Sequence, residues 1–140
     1  MTSCTFCRIM SRELGSSVVY EDNDAIACLD IQPITNGHLL VIPKHHYQDL
    51  NDLDPAIGAH MFKIGQQLSK VLQSSALKCT GTNLFLANGK TAMQEILHVH
   101  LHVIPRYPKD GFGLKYPPSY GPMASRYELE KLAGTIRNSI

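Results

Sequence analysis

Three histidines occupy every second position of the run His98, Val99, His100, Leu101, His102, Val103, Ile104. A β-strand sends successive side chains to opposite faces. As a strand, the run lines up three imidazoles on one face and Val99, Leu101 and Val103 on the other. Its β-branched and apolar content, with Pro105 behind it, favours strand over helix. In a helix, His98 and His102 would share a side and His100 would point away. At about 3.3 Å per residue, same-face neighbours stand about 6–7 Å apart and His98 lies about 13 Å from His102. One metal ion with bonds of about 2 Å to nitrogen reaches two adjacent histidines but hardly three. The row is therefore divided between tasks.

The remaining chain supplies elements to build around that strand. Cys4 to Cys7 runs into a short helical turn through Met10 to Leu14, broken at Gly15-Ser16-Ser17. Residues 18–21 and 25–31 read as a β-hairpin around Asp22-Asn23-Asp24. Its second strand leaves Asp30 at the end. The apolar run from His38 to Ile42 reads as an inner strand stopped by Pro43. Asp54-Pro55 is a helix start, with Asp as N-cap and Pro at the first position. Ile57, Met61, Ile64, Leu68, Val71 and Leu72 then give a helix over 55–76 with one buried stripe, and His60 sits beside it as a surface or boundary residue. Asn83 to Asn88 is a further strand, and residues 88–95 a loop. Within that loop Gly89-Lys90-Thr91 resembles the end of a phosphate-binding loop, but Leu84 stands where that motif needs glycine. Residues 105–124 form a Pro-, Gly- and Tyr-rich loop. Ser125 with Glu128 is a capping box opening a helix over 125–140, expected to be partly buried through Leu129 and Leu132. The expected fold is α+β: a five-stranded antiparallel sheet with one long and one C-terminal helix.

With 140 residues, residues 1–140 are expected to form one domain. A formal charge of +1 gives no global pull toward nucleic acid or a membrane surface, so neither is expected as a partner. No stretch approaches membrane-spanning length, and residues 1–20 hold nothing like a signal peptide. A cytoplasmic location is expected, and with it reduced cysteines. Cys28 and Cys79 read as small core residues.

Cys4 and Cys7 have the spacing of half a zinc site. His98, with His46 or alternatively His45, would complete a tetrahedral structural centre over residues 1–14. That leaves His100 and His102 for chemistry. A neutral imidazole is a good nucleophile near pH 7, able to attack phosphorus and form a phosphoramidate that water later cleaves. His100 is the central candidate, its second ring nitrogen donating to a backbone carbonyl. His38 and His102 would flank it and donate to phosphate oxygens, with Asn88 and Gln94 as further donors. Asp30 has a carboxylate able to grip two vicinal ribose hydroxyls, and Phe6 and Ile31 could sandwich a base.

The triad run resembles the histidine triad (HIT) signature of small nucleotide hydrolases and transferases. Asp30-Ile31-Gln32-Pro33, the stretch from Gly37 to Lys44, Asn88-Gly89 and Gln94 fall in that family's order. The Cys4/Cys7 pair resembles the zinc-bearing branch common in microbes. The resemblance implies His100 as the nucleophile that becomes nucleotidylated. It further implies His38 and His102 on the α-phosphate, Asp30 on the ribose, and Asn88 on the phosphate side. Cys4, Cys7, His46 and His98 match that branch's zinc ligands. Also implied is a homodimer whose two sheets join into ten strands. One departure is Glu95, where several relatives place Ser or Thr near the leaving group.

The leading expectation is hydrolysis at the α-phosphate of a purine nucleotide (an AMP-type ligand), in the first instance of a nucleoside phosphoramidate. The alternative substrate is a dinucleoside polyphosphate such as diadenosine tetraphosphate. A reading of another class is a zinc-stabilised nucleotide-binding module with incidental turnover. A third makes His100 and His102 ligands of a catalytic metal.

Overall fold

The computed structural model describes residues 4–140. Five strands form one antiparallel sheet in the order β1-β2-β3-β5-β4: β1 Val18–Glu21, β2 Ala25–Leu29, β3 Leu39–Pro43, β4 Gly81–Phe85 and β5 Leu101–Arg106. Three α-helices accompany it: α1 Thr5–Met10, α2 Pro55–Ser74 and α3 Arg126–Arg137. The α+β expectation therefore holds.

Strand alternation divides the apolar residues between two faces. Ala25, Ala27, Leu39, Val41, Val99, Leu101 and Val103 point to one side and pack on Met61, Ile64, Leu68 and Leu72 of α2. Ile26, Cys28, Leu40 and Ile42 point to the other and pack on Phe6 of α1. α2 begins as its sequence demands, Asp54 accepting a hydrogen bond from the Ala56 N–H with Pro55 behind it. It packs closely on the sheet at Gly65, where a Cβ would meet Leu101 at 2.9 Å and Leu84 at 3.1 Å. Among the described residues no helix is long and apolar enough to cross a membrane, and none of the four cysteines is in a disulfide.

Several boundaries differ from the expectation. β5 begins at Leu101, not His98. Val41 pairs with Leu101, so extending the register sets Pro43 opposite Val99, and proline has no N–H to give the ladder. The Val99 N–H goes to the Tyr47 carbonyl instead (2.8 Å), while the side chains of residues 98–100 keep their alternation. At its far end β5 runs through Pro105 to Arg106; the β3 ladder has already ended at Val103, so the missing N–H costs no bond on that side. β4 ends at Phe85, and beyond it Leu86 packs on the α2 cluster rather than continuing the strand. α1 ends at Met10, short of the expected Leu14, and β2 ends at Leu29, short of residue 31. Val71 lies on the outer side of α2 and is exposed. α3 has its capping box at Ser125 and Glu128, but Leu129 and Leu132 are exposed rather than partly buried. Among the described residues nothing covers that apolar face.

Candidate active site and metal centre

His98 is fully buried, with Nε2 at 2.9 Å from the Pro43 carbonyl. A carbonyl only accepts, so Nε2 carries the proton and Nδ1 is the bare nitrogen. Nδ1 faces the two sulfurs, 3.5 Å from Cys4 Sγ and 3.7 Å from Cys7 Sγ. His46 Nδ1 approaches Cys7 Sγ at 3.3 Å. The four donor atoms of Cys4, Cys7, His46 and His98 lie within 4.8 Å of one another. Burial holds the His98 imidazole down at about pKa 4, so it is neutral near pH 7 as a ligand must be. Two sulfurs, two nitrogens and a backbone carbonyl steering one ring suit a tetrahedral centre. His45 stands outside this group and meets Tyr47 edge-on.

Two residues along, the His100 ring repeats the arrangement. Its Nδ1–H donates to the His98 carbonyl at 2.8 Å, leaving Nε2 bare. Burial lowers the pKa of this imidazole below the usual histidine value, partly offset by that hydrogen bond and by the charges of Asp30 and Glu95. The structure thus presents a neutral ring with one fixed and one available nitrogen.

His38 and His102 form a directed pair. The Ile34 N–H donates to His38 Nδ1 at 3.1 Å, so His38 carries its proton on Nε2. That Nε2 lies 2.9 Å from His102 Nδ1 and donates to it. His102 must then hold its own proton on Nε2. The order of bonds fixes every tautomer in the group and leaves His102 Nε2–H as a donor beside His100, whose ring centroid is 4.8 Å away. Burial, then the neighbouring His100 and His38, holds His102 down at about pKa 4. Asp30 reaches His38 Nδ1 at 3.7 Å with one oxygen and accepts from the Gln32 N–H with the other. Asp30, His38 and His102 also have donor atoms within 4.8 Å of one another. Both nitrogens of His38 and Nδ1 of His102 are engaged in the bonds just described.

The other expected binding residues separate into two groups. Ile31 is 96% exposed, and Asn88 is exposed, its Oδ1 accepting from the Leu50 N–H. Gln94 and Phe6 turn inward. Gln94 is buried, its Oε1 accepting from the Gly89 N–H and its Nε2 donating to the Gln48 and Ile96 carbonyls. Its amide is spent on shaping the loop over residues 88–95 rather than offered to a phosphate. Phe6 is 3% exposed and meets His98 and His100 edge-on. Sequence reasoning passed over Tyr47, Gln48, Ile34 and Pro43 because each acts through its backbone; the break in strand pattern at Pro43 was the one available signal.

Three histidines in alternate positions running into β5, with a fourth, just before β3, bonded to the last of them, define a histidine triad protein. A family model described as the HIT domain matches residues 11–109, and the chain belongs to that family. An uncharacterized HIT-like protein of Borreliella burgdorferi is 43% identical over 116 residues, covering 82% of this chain and 84% of that one. A Saccharomyces cerevisiae protein named adenosine 5'-monophosphoramidase HNT1 is 38% identical, covering 82% and 70%. Among solved structures, a HIT family protein from Bacillus anthracis has a TM-score of 0.88 at 39% identity, covering 99% of this chain and 97% of that one. A zinc-bound histidine triad family protein from Mycobacterium smegmatis has a TM-score of 0.77 at 35% identity, covering 99% and 98%.

Proposed function

We propose that this protein is a nucleotide hydrolase acting at the α-phosphate of a purine nucleotide, in the first instance a nucleoside phosphoramidate, through a covalent nucleotidyl-His100 intermediate. One observation carries the reading: His100 Nδ1–H is committed to the His98 carbonyl, so the proton sits away from the nitrogen that must attack. His100 Nε2 forms a bond to phosphorus while the bond from phosphorus to the leaving nitrogen breaks. The departing amine takes the bond's electron pair and a proton from solvent, while His102 Nε2–H, oriented by the His38 Nε2–H bond behind it, donates a hydrogen bond to a phosphate oxygen. Water then attacks phosphorus, the phosphorus–nitrogen bond to His100 breaks, and the nucleoside monophosphate leaves. Asp30 binds the ribose hydroxyls, Ile31 supports the base, and Asn88 donates on the phosphate side.

Cys4, Cys7, His46 and His98 hold a structural zinc ion in this reading, which closes the N-terminal turn onto the sheet. The donor geometry and the zinc-bound relative support it. The relative named a monophosphoramidase supports the choice of leaving group. The protein acts as a homodimer in a reducing, cytoplasmic compartment.

The test is mass spectrometry of protein quenched during turnover of adenosine phosphoramidate. The expected result is one adenylyl adduct on His100. With His100→Ala the adduct disappears and kcat falls by about four orders of magnitude or more while AMP still binds. An adduct elsewhere, or full turnover by His100→Ala, rejects the proposal. Diadenosine tetraphosphate assayed alongside separates the two substrate classes.

A further inference from the structure

Phe6 lies between the two cysteines in sequence and against two histidines in space. Its helix, α1, has six residues, and its N-cap Cys4 makes no side-chain cap hydrogen bond. A helix that short does not hold its shape alone. α1 is held by tertiary contacts: the sulfurs on one side, and Phe6, Ile9 and Met10 against Ile26, Cys28, Leu40 and Ile42 on the other. The Phe6 ring stands 5.7 Å from the His98 ring at 82° and 5.0 Å from the His100 ring at 69°. Both are edge-to-face contacts of favourable geometry.

His100 needs such a neighbour. The hydrogen bond to the His98 carbonyl fixes one ring atom, and a ring pinned at one atom still swings about its Cα–Cβ and Cβ–Cγ bonds. His102 limits the swing on one side, its ring centroid 4.8 Å away at 61°. Phe6 supplies the other wall. Without it the imidazole can turn Nδ1 away from the carbonyl and move its proton to Nε2, the nitrogen that has to stay bare.

We propose that Phe6 is a positioning residue: α1, clamped through Cys4 and Cys7 to His46 and His98, holds His100 in its attacking orientation by pressing the Phe6 ring against it. The ion that this donor set fits then does more than stabilise the fold. It sets how well the nucleophile is aimed, through His98 beneath the ring and Phe6 beside it. The inference rests on the reading of His100 as nucleophile, but its central readout needs no turnover.

The experiment compares wild type with Phe6→Leu, which keeps apolar volume but loses the flat edge, and with Cys4→Ser. Side-chain nitrogen NMR of His100 in ligand-free protein reports which ring nitrogen is protonated, while kcat, KM and AMP affinity are measured in parallel. Wild type should show the Nδ1–H tautomer alone. Phe6→Leu should show a mixture, with kcat down about 10- to 100-fold and AMP affinity within about threefold of wild type. Cys4→Ser should give the same His100 signature, and the double variant should lose little more, as for two residues acting as one unit. A single Nδ1–H tautomer in both variants overturns the proposal. So does weakened AMP binding with unchanged kcat, which would make Phe6 part of the base pocket. Absence of a wild-type adduct on His100 instead rejects the nucleophile reading, and the tautomer result still decides the positioning role.

Discussion

His102 carries a charge history that can be read in pH. In the folded protein, burial followed by its histidine neighbours holds it at about pKa 4, against 6.5 for a free imidazole. As pH falls from 6.5 toward 4, the unfolded chain takes up a proton that the folded protein refuses. Stability therefore rises with pH across that window, and this contribution is present above pH 6.5 and lost progressively below it. Urea midpoints measured at pH 7.5, 6 and 5 should fall in that order. His102→Gln should flatten the trend, which separates this group from the acid sensitivity of the cysteine centre. The same burial lowers the His100 pKa, so the acid limb of kcat/KM should lie below pH 6.5. A limb above 6.5 would mean that the attacking group is not a buried neutral histidine.

At the level of elements, the helix α2 meets the sheet closely at a glycine, Gly65. Gly65→Val places a Cβ at 2.9 Å from Leu101 and adds two methyls beyond it. The expected cost is about 1–3 kcal/mol of stability, as for other overpacked cores, read from thermal or urea unfolding. Leu101 separates His100 from His102, so kcat should fall as well; an unchanged melting temperature would show that α2 can lift away freely. Such contacts explain what could and could not be read from the chain beforehand. Alternation in residues 98–104 and the caps of α2 and α3 are local patterns, and the structure follows them. The choice of His46 over His45 depends on which ring reaches a sulfur some 39 residues back in the chain. Gln94 looked like a phosphate donor because its backbone partners, Gly89, Gln48 and Ile96, carry no side-chain signal. The His38–His102 bond spans 64 residues and rests on the register of β3 with β5. α3 has a sequence pattern that asks for burial, and whether a partner surface exists is a property of the assembly, not of the helix.

At the scale of the whole molecule, one exposed apolar region lies beside an edge strand. β4 is an edge strand with β5 on one side only, an arrangement that invites pairing unless it is blocked. Beside it Phe62 of α2 is 58% exposed, and Leu50, Leu53, Phe62 and Leu86 line an apolar hollow between α2 and the end of β4. Exposed apolar patches of this kind mark association sites. In the proposed homodimer the two β4 edges meet and the two α2 helices lie over the joint, so Phe62 is buried between copies. Wild-type protein should therefore run at about twice 15.5 kDa in light scattering. Phe62→Glu puts a charge on each side of a two-fold contact, where every substitution is counted twice, and should raise the dimer dissociation constant more than tenfold. Because Phe62 is exposed in the single chain, the variant should remain folded, with an unchanged far-ultraviolet spectrum. A variant that stays dimeric moves the interface elsewhere, and the uncovered apolar face of α3, with Leu132 and Ile136 exposed, is then the surface to substitute next.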